Sequence, residues 1–227
     1  MSEQERILAL LQAGKITPQE AELLLSALEE NDKNPGSPPV EEPPGLHWAR
    51  VRLTAGRLEA RLDPSLSQPQ VEGQAEVQPV GDDVQVIPHA NGVLGGWLGK
   101  GVSLVLRLPP GWGLEVDSKA AELEVEGLRF FKGRVAAGYV ALKAVEGLDL
   151  EVSAGNIEGS LLLREGQHRL WVSMGNAELA FLPGSSVTLR PSVSLGNLEC
   201  PNRQIGQGQA SLEASVRLGN LELINRA

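Results

Sequence analysis

The period of the apolar positions changes along the chain. Ser2-Glu3-Gln4-Glu5 reads as a capping box: the Ser2 hydroxyl accepts from the Glu5 amide, and Glu5 reaches back to the Ser2 amide. Ile7, Leu8, Leu10 and Leu11 follow at helical spacing, and Gly14 suits a left-handed helix stop. Thr17 and Glu20 form a second capping box around Pro18, and Ala21, Leu24, Leu25 and Leu28 then share one face. The spacing predicts an αα-hairpin over residues 1–30. Two short helices cannot hide such a face alone. Leu8, Leu11, Leu24, Leu25 and Leu28 are therefore candidate contacts with the rest of the chain, a second copy or another protein. From residue 31 to 45 the pattern dissolves. Pro35, Pro38, Pro39, Pro43 and Pro44 stand among polar residues with Val40 as the sole aliphatic, which predicts an exposed, semi-rigid tether.

Beyond residue 46 the period becomes two, broken at regular places. Four segments repeat: Val152-Ser153-Ala154-Gly155-Asn156-Ile157-Glu158, Val172-Ser173-Met174-Gly175-Asn176-Ala177-Glu178, Val193-Ser194-Leu195-Gly196-Asn197-Leu198-Glu199 and Val216-Arg217-Leu218-Gly219-Asn220-Leu221-Glu222. Their glycines are 20, 21 and 23 residues apart, the mark of a repeat architecture. Weaker copies at Gly138 and Ala121 continue upstream at steps of 17, and Gly56 and Gly73 are again 17 apart. Val193 and Leu195 share a strand face, as do Leu198 and Cys200, yet Leu195 to Leu198 is an odd step. A bend at each Gly-Asn returns both sets to one interior, because Gly, and Asn better than most residues, tolerates positive φ. The corners are thus Gly155-Asn156, Gly175-Asn176, Gly196-Asn197 and Gly219-Asn220, with Val152, Val172, Val193 and Val216 facing inward. Each coil is expected to supply backbone partners to the next, with the asparagines stacked as an amide ladder. The expected fold is mainly β: a single-stranded, β-helix-like solenoid over residues 46–227, with coils of 17 to 23 residues and the hairpin at its N-terminus. Leucine-rich repeat spacing is absent.

Composition narrows the function classes. With 20 basic and 29 acidic residues the net charge is −9, which argues against nucleic-acid binding and against electrostatic attachment to anionic lipid. Cys200 is the only cysteine, so no intrachain disulfide forms. No run approaches a membrane span, and the first residues lack a signal-peptide core, so a cytoplasmic location is expected, with peripheral membrane association left to a partner.

The run from Arg6 to Leu24, with its Gly-Lys-Ile-Thr turn and Pro-Gln-Glu-Ala helix start, resembles the SHOCT-like helical module of bacterial proteins. That resemblance implies oligomerisation or docking through the hairpin. The Ser-x-Gly-Asn-x-Glu signatures, with the Leu-Pro exits at Leu108 and Leu182, resemble the bacterial putative-adhesin β-solenoid family. Relatives with both parts are linked to envelope-stress responses, which is what the combined resemblance implies.

Candidate chemistry is sparse. His47, His89 and His168 lie in unrelated contexts, without metal-ligand spacing. Cys200 occupies an apolar repeat position and reads as a buried thiol. Gly92 to Gly101 mimics a phosphate loop but has Gly101 where Ser or Thr is needed and Leu94 where Gly is needed; it reads as a turn whose Trp97 and Leu98 are candidate partner contacts. Glu158, Glu178, Glu199 and Glu222 would line up as an acidic stripe, read as a solvated face. The expectation is a non-catalytic, homo-oligomeric interaction scaffold without cofactor or metal. The alternative is a structural protein polymerising through solenoid ends, as bactofilins do.

Overall fold

Alternating Val, Leu and Ile positions produce long strands in the computed structural model, which describes residues 40, 42–89 and 101–226. The chain divides into two units, 1–39 and 40–227, and all described residues belong to the second. The strands are β1 (His47–Leu62), β2 (Gln70–Gly73), β3 (Ala75–Val80), β4 (Asp83–Pro88), β5 (Val102–Leu108), β6 (Trp112–Glu126), β7 (Phe131–Val145), β8 (Leu148–Leu161), β9 (Gly166–Phe181), β10 (Val187–Glu199), β11 (Gln204–Ile205) and β12 (Ala210–Asn225).

Chain reach dictates how these strands lie. β6 has 15 residues and would span about 50 Å if straight. Residues 127–130 separate it from β7, which starts again beside Leu114 and runs parallel to β6. Four residues reach about 14 Å at most, so the strand itself must wind round to its own beginning. One coil is therefore one bent strand plus a short return, and the fold is a mainly-β solenoid.

The coils do not stack in chain order. The sequence β10–β12–β9–β8–β7–β6–β1 runs across the sheet, so β1 and β12 are both interior. The expectation that each coil partners the next is corrected at both ends. β12 inserts between β9 and β10, while β4 and β5 share the far edge of β1 through Ala49–Val51 and Gly56–Leu62. A charge ladder fits the insertion. Arg50, Glu115, Lys132, Asp149, Arg169, Glu213 and Arg190 occupy one register across seven adjacent strands and alternate in sign. Stacking β10 directly on β9 would set Arg190 against Arg169, and Glu213 separates them. Each such cross-strand pair contributes on the order of 0.2–1 kcal/mol, and a like pair costs as much.

The interior is a set of columns. Leu53, Ser118, Val135, Val152, Val172, Val216 and Val193 lie in register, and so do Leu58, Leu123, Val140, Ile157, Ala177, Leu221 and Leu198. Val152, Val172 and Val216 are fully buried, but Val193 is only half-buried because β10 is an edge strand. Leu195, expected inside, is 58% exposed. Val216 and Leu221 both point inward although they are an odd five apart, so the phase changes before the glycine and pushes the intervening Leu218 outward. Gly73 also departs from the expected column: it lies in β2 and pairs antiparallel with Leu104 of β5.

Candidate interaction surfaces

The corner is built by contact between backbones. Gly56, Gly138, Gly155, Gly175, Gly219 and Gly196 share one register, with Ala121 in the β6 position. At Gly175 φ is +138°, and an added Cβ would lie 1.7 Å from the Gly155 carbonyl oxygen. Any side chain there would push coils apart, so glycine is required sterically as well as conformationally. The neighbouring asparagines serve another purpose. Among the described non-glycine residues only Ala144 has positive φ, so the Asn corner is not a left-handed residue. Instead, Asn220 Nδ2 donates to Asn176 Oδ1 at 2.8 Å, Asn176 Nδ2 to Asn156 Oδ1 at 3.2 Å, and Asn197 Nδ2 to Asn220 Oδ1 at 3.1 Å. The backbone amides of Asn176, Asn220 and Asn197 donate to the same oxygens. The ladder therefore follows the spatial order 156, 176, 220, 197.

Two outward columns flank the corner. Glu158, Glu178, Glu222 and Glu199 stack in four adjacent strands, a solvent-facing acidic row. At its inner end the Tyr139 hydroxyl donates to Glu158, and that bond, with burial and the nearby carboxylates, pushes the Tyr139 pKa up to about 12. On the other side lies an apolar ridge: Ala55, Ala120, Ala137, Ala154, Met174, Leu218 and Leu195. It grows from alanine to Met and Leu toward β10, where Met174 is 56% and Leu218 44% exposed. The odd count of five from Val216 to the next inward residue, Leu221, is the sequence feature that marks this ridge.

A cavity of about 270 Å³ opens beside Pro43, Arg129, Phe130, Glu146, Leu162 and His168. His168 fills an interior position held by Leu148 and Leu212 in the adjacent coils. Its Nδ1 accepts from the Leu148 amide at 3.3 Å and its Nε2–H donates to the Glu165 carbonyl at 2.9 Å. Both ring nitrogens are spent on backbone, and burial holds the ring's pKa below the usual histidine range. Cys200 Sγ bonds the Asn202 carbonyl, and burial pushes its thiol pKa up, against nucleophilic use. Among the described residues no group of three His, Cys, Asp or Glu side chains is disposed to hold a metal ion, and no helix is long and apolar enough to cross a membrane. Leu8, Leu11, Leu24, Leu25, Leu28, Trp97 and Leu98 lie outside the described residues.

Fold and surfaces together define a solenoid of the mainly-β class. A SHOCT-like domain family matches residues 2–33. The β region is similar to the crystal structure of a putative cell adhesion protein from Clostridium sporogenes, with a TM-score of 0.51 at 11% identity, covering 82% of this chain and 97% of that one. No curated protein matches the chain. At that identity the likeness is one of fold.

Proposed function

We propose that this chain is a non-catalytic interaction scaffold, in which the N-terminal hairpin mediates oligomerisation or docking and the solenoid offers a rigid face to protein partners. The observation that carries this reading is the ridge of Met174, Leu218 and Leu195, large apolar side chains held outward on a surface where charge would otherwise be expected. The spent nitrogens of His168 and the raised thiol pKa of Cys200 support a structural role for those two residues. The SHOCT-like match over residues 2–33 supports association through the hairpin, and a place in the bacterial envelope-stress response belongs to the same reading. Polymerisation through both solenoid ends is the weaker reading, because one end is bounded by the short antiparallel strands β2 and β3, the latter interrupted by Pro79, instead of by a coil like that at the other end. The test is molecular mass by light scattering on full-length protein. Leu24→Asp should lower the mass of the assembly while far-ultraviolet circular dichroism stays the same, since the solenoid core is separate. A mass indifferent to Leu24→Asp overturns association through the hairpin.

A further inference from the structure

We infer that the open edge of β10 pairs with the same edge of a second copy, joining two solenoids tail to tail about a twofold axis. The two ends of the stack differ. At the β4–β5 end both arms of the coil are covered by antiparallel strands, through Ala75–Val80 on β4 and Gln70–Gly73 on β5. At the other end β11 covers only Val187 and Thr188, and the Leu189 amide donates to the Arg203 carbonyl. Among the described residues no strand pairs with the free side of Arg190–Glu199. Such an edge is a template for strand addition. It also carries exposed apolar surface, with Leu198 at 40% and Leu195 at 58% exposure, and Leu218 and Met174 behind them.

The occupant follows from the order of residues on that edge. The other end of a second copy offers only the outer edges of the short strands β2 and β3, of four and six residues, whereas the β10 edge complements itself over Arg190–Glu199. Antiparallel pairing centred between Ser194 and Leu195, at the change of phase just before the glycine, sets Val193 against Gly196 and the residues before the corner against those after it. Arg190 then faces Glu199 of the second copy, twice over. Pro191 faces Leu198, and both belong to inward columns, so the two interiors become continuous and Leu198 is covered. Shifting the register by one residue would set inward positions against outward ones. Shifting it by two would unpair Arg190 from Glu199. Pro191 contributes no amide, so the match of charge and apolar face, more than the number of backbone bonds, selects the partner.

This surface is independent of the hairpin, and the experiment separates them. Full-length protein carrying Leu24→Asp, which removes the hairpin's proposed contact, is expected to remain a dimer by light scattering. Adding Glu199→Arg should reduce its mass by about half, because two Arg–Arg oppositions replace two ion pairs. Within its own copy that arginine lies beside Glu222, so the solenoid should hold its melting temperature. Leu198→Lys, which puts a charge in the newly covered column, should give the same mass. A monomer in the Leu24→Asp background, or a dimer indifferent to both Glu199→Arg and Leu198→Lys, overturns the proposal.

Discussion

At the scale of the residue, His168 shows how a repeat position can be filled by a group with different chemistry. It replaces a leucine of the interior column and bonds only to backbone, so the fold holds the neutral ring. Its folded pKa is lowered by burial, whereas the unfolded chain keeps the ordinary value near 6.5. As pH falls, the unfolded state takes up the proton first, so the contribution of this residue is complete above that range and declines as pH drops through it. Denaturant midpoints measured between pH 8 and 5 should therefore fall toward the acid end, and His168→Leu should flatten that part of the decline. An equal slope in the variant would assign the effect to other groups. The glycine corners were legible from their spacing alone. The asparagine function was legible only in part: stacking was readable from the period, but the choice of amide bonding over a left-handed backbone depends on φ, which spacing does not encode.

At the scale of the element, the charge ladder favours the observed order of strands. Glu213→Arg would place three arginines in succession at Arg169, position 213 and Arg190. The expected loss is about 1–2 kcal/mol, from two like pairs replacing two opposite ones. It should shrink in high salt, since these side chains are partly or fully exposed. Urea unfolding at low and high ionic strength measures both effects; a loss insensitive to salt would point to packing instead. The strands themselves, the winding and the interior valines were readable from periodicity. The order of the strands was not, because equal spacing is compatible with any stacking sequence, and the alternating signs of Arg169, Arg190 and Glu213 carry that information across distant segments. Leu195 was misplaced for a related reason: the phase change falls just before the glycine rather than at it, and Val193 and Leu195 look equivalent until the backbone is seen.

At the scale of the whole molecule, the stack has an outermost coil that is not the last in the chain. Deleting residues 210–227 removes a layer between β9 and β10 rather than a terminal one. Amide exchange should then lose protection in Val187–Glu199 as well as report the missing strand, since β10 has no other long partner. Retained protection across Val187–Glu199 would mean that β10 closes directly onto β9 despite the facing arginines. The same arrangement sets a timetable for synthesis. As the chain leaves the ribosome, β6 to β9 can add layer upon layer in the order they emerge. β10 emerges next, but the strand that must lie between it and β9 has not yet been made. The half-built solenoid thus presents two unfinished edges until the sixteen-residue β12 slides between them, and insertion of that strand, not growth of the stack, is the step that completes its interior.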